Sequence, residues 1–220
     1  MHTAKFKHCT PNAEREIVEI ARVSNPKNQQ NHKTATKLIR YMLKHHHVSP
    51  FEMCSMCVEI NTTRSIAPQI LRHGKGFSFQ EFSQRYADPA LLSSIELPKL
   101  RRQDYKNRQA SHDDLDPELV GQMHKEIEKH YRSAQDLYKM LLDFDIAKEC
   151  ARDVLPLGTP SRLYMNGNLR SWIHYIKLRC GIETQLEHRL IANDCRQIFK
   201  ERFPAIYDAA ELYELDKIPI

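Results

Sequence analysis

Gln69-Ile-Leu-Arg-His-Gly-Lys-Gly-Phe-Ser-Phe-Gln-Glu-Phe-Ser-Gln-Arg-Tyr86 gathers three cations, a histidine, one acid and two serine hydroxyls in one short stretch. Gly74 and Gly76 flank Lys75, and they are two of only six glycines in the chain. Glycine allows the backbone to approach a ligand closely and to adopt positive φ. Cations and hydroxyls supply the donors that phosphate oxygens accept. The stretch therefore predicts a nucleotide-binding turn and not a core strand.

The end of the same stretch has a charged or hydroxyl-bearing residue at every second position. Glu81, Ser83 and Arg85 are two residues apart, and in an extended segment such residues share one face. Three polar groups of mixed charge on one face would make a poor core, which favours a binding surface. The alternative is that Arg72, His73 and Lys75 are ordinary solvated residues after a helix, where cations favour the helix dipole.

Composition bounds the class of protein. At 220 residues, with 41% hydrophobic and 28% charged residues, the chain is typical of a globular domain with one substantial core. No apolar run approaches the ~18 residues that span a bilayer, and the N-terminus lacks an apolar signal segment. We therefore expect a cytoplasmic protein without membrane contact. A net charge of +5 suits small anions as well as nucleic acid.

Periodicity and capping signals predict one helix-dominated α+β domain over residues 1–220, with few strands. Thr10 and Pro11 should open the first helix, and Thr62 or Thr63 should cap a helix leading to Arg72. One strand is expected at 53–61 and a loop with short helical pieces at 89–116. The predicted helices are residues 10–23, about 35–43, 62–71, 117–141, 147–154, 168–179, a segment after 181 and a short tail after 204.

A second group of polar residues lies in the C-terminal half. Arg170 and His174 are four residues apart on the predicted helix 168–179 and so share a face, with Asn168 near its start. Arg152 and Arg179 add planar, bidentate donors suited to phosphates and to the imide edge of a pyrimidine. A solvated helix face with unrelated arginines is the alternative reading.

Other features of the sequence give weaker indications of function. Cys54 and Cys57 form a CxxC without a second pair to complete a zinc site, so we expect packing residues and no metal site. The cations of the 99–108 stretch could supply non-specific affinity for nucleic acid, although interleaved acids favour a solvated loop.

Several motifs together resemble the flavin-dependent thymidylate synthases (ThyX family). Arg72-His73 followed by Phe-Ser-Phe-Gln-Glu-Phe-Ser-Gln-Arg-Tyr resembles the family signature RHR-x7/8-S, with Ser83 at its end. Supporting matches occur in order along the chain. They are Ala21-Arg22-Val23-Ser24, His47-Val48-Ser49-Pro50-Phe51-Glu52, Gln69, Ala151-Arg152-Asp153-Val154-Leu155-Pro156, Asn168-Leu169-Arg170 with His174, Leu178-Arg179, and Gln185-Leu186-Glu187.

The resemblance implies a ThyX-like fold with a small antiparallel sheet, and a homotetramer whose active sites lie at subunit interfaces. It implies reductive methylation of dUMP to dTMP with FAD, 5,10-methylenetetrahydrofolate and NADPH. The implied dUMP contacts are Gln69, Arg72, Glu81, Ser83, Gln84, Arg85, Arg152 and Arg179. The implied FAD contacts are Ser49, Arg72, His73, Lys75, Glu81, Asn168, Arg170 and His174. Arg179 is the implied catalytic residue, holding the uracil edge as the ring is activated.

One departure from the family pattern stands out. Where the family has Arg-His-Arg, this chain has Arg72-His73-Gly74-Lys75-Gly76, and Lys75 takes the place of the third basic residue if Gly74 is an insertion. Two alternatives stay open from sequence. One is a ThyX-like flavoenzyme that acts on another pyrimidine nucleotide or gives a hydroxymethyl product. The other, from a different class, is a nucleic-acid-binding module.

Overall fold

The computed structural model describes residues 2–92 and 94–218 and contains two small sheets. The larger has four strands in the order β1 (Thr3–Cys9), β2 (Ser55–Thr63), β6 (Pro160–Asn168) and β3 (Phe77–Glu81). The smaller pairs β4 (Arg102–Gln103) antiparallel with β5 (Ser111–His112). The α-helices are α1 (Ala13–Ala21), α2 (Ala35–Lys44), α3 (Ala67–Leu71), α4 (Pro117–Asp143), α5 (Lys148–Ala151), α6 (Leu169–Arg179), α7 (Leu186–Arg202) and α8 (Pro204–Ala209).

The predicted α+β class, dominated by helices with a small antiparallel sheet, is confirmed. Short 3-10 helices complete the described secondary structure, among them Ser49–Glu52 and Arg152–Val154. Within residues 2–92 and 94–218, no helix combines the length and apolar character that a bilayer span requires. The extent of the single domain, residues 1–220, stays a prediction.

Contacts between residues group the chain into two compact units, each made of several separate stretches. The first, the α4 unit, contains 61–68 and 81–163. The second, the α6 unit, contains 2–60, 69–80 and 164–220, of which residues up to 218 are described.

The core of the α6 unit forms around one helix. Trp172, Tyr175 and Ile176 on α6 are completely buried, at the helical spacing that places them on one face. The Trp172 indole N–H donates to the carbonyl of Met56 at 2.8 Å, so burial leaves this donor satisfied. Helix α7 packs against α6 and β1, which supports the helix that carries Arg170 and His174 from behind.

The α4 unit forms around its long helix. Asp116 caps it by accepting a hydrogen bond from the amide of Glu118 at 2.7 Å, and Pro117 occupies the first turn. Ala134 and Tyr138 are its buried residues. The helix predicted for 117–141 therefore forms nearly as expected.

Two cations of the 99–108 stretch pair with acids that follow it in sequence. Lys99 contacts Asp113 at 2.5 Å, and Arg102 makes two bonds to Asp114. This pairing agrees with a solvated loop, although the segment contains the β4–β5 hairpin that the sequence did not reveal.

Four local predictions were wrong. Thr10 does not cap α1; its hydroxyl accepts from the amide of Ser55, and Asn12 precedes the helix instead. Thr62 and Thr63 belong to β2 and are buried. Strands β1, β3 and β6 of the larger sheet were not predicted. Cys54 and Cys57 are both buried, as expected for packing residues.

The fourth error concerns the end of the opening stretch. Strand β3 ends at Glu81, and the chain turns through Ser83 to Tyr86, whose amide donates to the Ser83 carbonyl at 3.1 Å. Glu81, Ser83 and Arg85 therefore do not share the face of one extended segment.

Candidate active site

A cleft of about 740 Å³ opens in the α6 unit. It collects six of the eight residues implied to contact FAD, and four further residues complete its lining. The lining residues are Glu52, Arg72, His73, Lys75, Gly76, Phe77, Asn168, Arg170, Ser171 and His174. Two distant stretches of the sequence, 72–77 and 168–174, therefore line one cleft together with Glu52.

The Gly76 backbone brings the turn before β3 against the start of α6. Gly76 has φ of +76°, a conformation that side chains disfavour. The amide of Asn168 donates to the Gly76 carbonyl at 3.3 Å. The Asn168 side chain then caps α6, accepting from the amide of Ser171 at 2.8 Å. A Cβ on Gly76 would overlap Ser171 Oγ, so this close approach requires glycine.

Charge in the cleft is mostly positive. Arg72, Lys75 and Arg170 contribute three cations. Glu52, from the 3-10 helix Ser49–Glu52, pairs with Arg170. Three cations against one carboxylate favour a ligand with more than one negative charge, because charge-assisted bonds to phosphate are among the strongest hydrogen bonds in proteins. The ion pair also fixes the orientation of the Arg170 guanidinium.

His73 and Arg179 are directly bonded. Arg179 Nε donates to His73 Nε2 at 2.8 Å. Burial, with the Arg179 and His174 charges adding to it, lowers the pKa of His73 to about 4. His73 is therefore neutral near pH 7, with an unprotonated Nε2 that accepts from Arg179 and a proton on Nδ1. It fixes the orientation of the arginine without adding positive charge.

A buried pair lies behind His73. The Tyr175 ring contacts His73 edge-on, with 5.0 Å between ring centroids. The Tyr175 hydroxyl lies 3.1 Å from His188 Nε2. Burial, with the charges of Arg179 and His73, lowers the pKa of His188 to about 3, while burial raises the pKa of Tyr175. The tyrosine is thus the donor and the neutral histidine the acceptor.

A second cleft, of about 300 Å³, lies in the α4 unit. Gln84 and Arg152, both implied dUMP contacts, line it together with Arg64. Gln84 is 8% exposed, and its Nε2 has no hydrogen-bond partner within the described part of the chain. A buried amide without a partner is costly, so this group is a candidate to bond an ordered water.

Glu81, implied to contact both ligands, belongs to the α4 unit. Arg64 pairs with its Oε1, and the Ser161 hydroxyl donates to the same oxygen at 2.7 Å. Arg85 is drawn toward Glu149 at 2.9 Å, on the protein surface.

The remaining implied residues lie outside the lining of the two clefts. Ser49 is exposed and begins the 3-10 helix that supplies Glu52. Gln69 donates to Gln185 at 2.8 Å in the α6 unit. Ser83 lies in the turn after β3, where it accepts from the amide of Arg85 at 3.4 Å.

Sequence reasoning missed Glu52, Arg64, Ser161 and Ser171 as parts of the two sites. Glu52 belongs to the motif His47-Val48-Ser49-Pro50-Phe51-Glu52, but the acid that the resemblance implied for the FAD site was Glu81. Little in the sequence indicates that Arg64 belongs to a site, because a single cation after Thr62 and Thr63 is also typical of the start of a helix. Ser161 belongs to a strand that the sequence did not reveal, so nothing singled it out.

The fold and the α6-unit cleft define an α+β protein with a mostly cationic cleft that contains His73, a neutral histidine bonded to Arg179. Comparison with known proteins then identifies the family. The profile of the family described as "Thymidylate synthase complementing protein" (Thy1) matches residues 6–205.

Two curated relatives are each 48% identical to this chain. One, named "Probable flavin-dependent thymidylate synthase", comes from Paramecium bursaria Chlorella virus 1, and the match covers 90% of this chain and 91% of the relative. The other, named "Flavin-dependent thymidylate synthase", comes from Synechocystis sp., with 89% and 88% covered. The chain belongs to the family of flavin-dependent thymidylate synthases.

A solved structure shares the fold. The UMP/dUMP methylase PolB from Streptomyces cacaoi, bound with 5-Br dUMP, is 26% identical and superimposes with a TM-score of 0.83. The similarity covers 95% of this chain and 94% of that one.

Proposed function

We propose that this protein reductively methylates dUMP to dTMP, using 5,10-methylenetetrahydrofolate as one-carbon donor and NADPH as reductant through FAD. The balanced reaction is dUMP + methylenetetrahydrofolate + NADPH + H⁺ → dTMP + tetrahydrofolate + NADP⁺. The observation that carries the proposal is the α6-unit cleft, which unites six residues implied to bind flavin from two distant parts of the sequence. Family membership supports the same reaction.

The residues present in the cleft fit FAD. Its volume, about 740 Å³, lies in the range of cofactor sites. Arg72, Lys75 and Arg170 offer cations for a pyrophosphate, and the close approach at Gly76 leaves backbone beside the start of α6. Asn168, His73 and His174 add polar contacts, and we propose Ser49 and Glu81 as further ones. When bound, FAD supplies the hydride that originates with NADPH.

We propose that Arg179 holds the uracil edge and stabilises the negative charge that develops on the ring. A guanidinium in a fixed orientation lowers such a barrier because it needs no reorganisation during the reaction. His73 provides that orientation through the bond to Arg179 Nε, which leaves the terminal nitrogens of the guanidinium for the ligand. Gln69 and the residues Arg72, Glu81, Ser83, Gln84, Arg85 and Arg152 are proposed to hold the rest of dUMP.

We propose a homotetramer in which residues of several subunits complete each site, as the resemblance implies. Mass photometry of the purified protein tests this directly, and a monomer with full activity would contradict it. The cytoplasmic location expected from the sequence stays a prediction.

The activity is tested by incubating the purified protein with dUMP, methylenetetrahydrofolate and NADPH and identifying the product nucleotide by mass spectrometry. We expect dTMP, and none when NADPH or the folate is omitted. A hydroxymethylated nucleotide in place of dTMP would support the alternative outcome of the one-carbon transfer. Salt-dependent nucleic-acid binding by a colourless protein would instead support the nucleic-acid-binding alternative.

A second acceptor is suggested by the solved structure described as a UMP/dUMP methylase, because it shares the fold over nearly the whole chain. We therefore propose UMP as the first alternative acceptor to test, with dCMP as a further comparison. Equal turnover of UMP and dUMP would show that this protein does not discriminate at the ribose 2′ position.

A further inference from the structure

Glu81 is held by one of its two carboxylate oxygens. Arg64 Nη1 and the Ser161 hydroxyl both bond Oε1, the latter at 2.7 Å. Within residues 2–92 and 94–218, Oε2 takes no bond, and the Glu81 side chain is 20% exposed. A carboxylate can accept on both oxygens, so this arrangement leaves one acceptor facing outward and fixed in position.

The order of the strands explains how Arg64 reaches Glu81. Arg64 follows β2, Ser161 belongs to β6 and Glu81 ends β3, and β6 lies between β2 and β3. Two strand spacings separate β2 from β3 by about 9.5 Å, which the long arginine side chain spans. The Arg64 backbone is itself fixed, because its amide donates to the Thr159 carbonyl at 2.9 Å.

The contact of Arg64 and Ser161 with Glu81 is partly shielded from water, unlike an ion pair on the open surface. Ser161 is only 2% exposed, so its hydroxyl has little access to water. The Arg64 side chain is 35% exposed and lines the cleft that also contains Gln84 and Arg152. Its charge therefore contributes to the cleft while its Nη1 holds Glu81.

We propose that Arg64 and Ser161 are positioning residues for dUMP binding, because they hold Glu81 Oε1 and thereby present Oε2 to an N–H or O–H of the nucleotide. The inference deepens the proposed function and rests on it for the identity of the nucleotide. Arg64 and Ser161 should raise the affinity for dUMP, because they orient the Glu81 carboxylate before the nucleotide binds. The carboxylate then loses less mobility on binding.

The test is the dissociation constant of dUMP, measured by calorimetry on the FAD-loaded protein. Arg64→Met removes the charge with little change in length and should raise the dissociation constant about tenfold, as expected for a lost bond to a charged group. Arg64→Lys should recover most of the affinity. Arg132→Met is the matched control, since Arg132 pairs with Glu128 on the exposed face of α4.

A double-mutant cycle separates positioning from general damage. Arg64→Met should have almost no further effect in a Glu81→Ala background, because its influence passes through Glu81. Ser161→Ala removes a single hydroxyl and should raise the dissociation constant roughly threefold. If Arg64→Met fails to fold, the dissociation constant of dUMP for Ser161→Ala tests the proposal. FAD absorbance should stay at the wild-type level in Arg64→Met and Ser161→Ala.

The inference would be overturned by unchanged dUMP affinity in both Arg64→Met and Ser161→Ala, or by additive losses in the cycle. Loss of FAD with unchanged dUMP affinity would overturn it as well. Failure of the proposed function is recognised separately, because it appears as wild-type protein that forms no dTMP whatever the variants do to binding.

Discussion

Replacing Gly76 by alanine should destabilise the α6 unit and weaken flavin binding. At φ of +76° an alanine is strained by about 1–2 kcal/mol. Its Cβ would also overlap Ser171 Oγ and lie 3.1 Å from Asn168 Nδ2 and 3.2 Å from Ser171 Cβ. Relieving that overlap should cost roughly another 1–2 kcal/mol. The expected loss is therefore about 2–4 kcal/mol in the free energy of unfolding.

The assay is urea unfolding of the FAD-free protein, followed by fluorescence of Trp172, the single tryptophan. Using FAD-free protein removes the stabilisation that bound cofactor would add to the native state. A parallel titration of FAD should show weaker binding, since Asn168 and Ser171 begin the helix that carries Arg170 and His174.

Gly74→Ala is the matched control within the same turn. No atom lies within 4 Å of a Cβ at Gly74, and Gly76 is the positive-φ glycine among the described residues. We expect Gly74→Ala to be neutral or stabilising by about 0.5 kcal/mol. In Gly76→Ala/Ser171→Ala, the part of the loss due to the Ser171 hydroxyl should be recovered. Equal stability of the Gly74 and Gly76 variants would refute the reasoning.

Three further predictions concern the neighbouring residues. Burial lowers the pKa of His188 to about 3 from 6.5, so the folded state binds fewer protons and stability falls as pH drops from 6.5 toward 3. That loss is about 2 kcal/mol by pH 5, and His188→Gln should flatten this part of a urea–pH series; an unchanged slope would count against it. Arg179→Ala should abolish dTMP formation, leave FAD bound and raise the pKa of His73 in NMR titrations, because a cation beside it is removed; retained turnover would refute the catalytic assignment. Arg170→Ala should weaken FAD retention, with Arg132→Ala as control, and unchanged FAD affinity would contradict its proposed role.

The sequence predicted helices better than strands, for a physical reason. Helices α4 and α6 carry their own signals, a cap at Asp116 or Asn168 and an apolar face. Strands β1 and β6 depend on partners distant in sequence, and β6 contains Gly167 and Asn168, which weaken a strand pattern. The turn at Ser83 was missed because alternation of polar residues fits an extended segment equally well.

For the sites, six of the eight residues that the resemblance implied for FAD line the α6-unit cleft, but the sequence did not indicate their bonding partners. The Arg179–His73 bond joins residues 106 positions apart, and no local pattern specifies it. The same holds for Glu52 with Arg170 and for Arg64 with Glu81. Ion pairs of this kind arise from strand order and helix placement, which are properties of the folded chain.

The proposed activity requires bound flavin for the methylation of dUMP, and this requirement can be tested in one experiment. The purified protein is reconstituted with FAD and supplied anaerobically with NADPH, methylenetetrahydrofolate and dUMP, and both nucleotide products are quantified. We expect dTMP and NADP⁺ in equimolar amounts, with no dTMP when FAD is left out. Failure to bind FAD, or consumption of NADPH without any methylated pyrimidine, would contradict it.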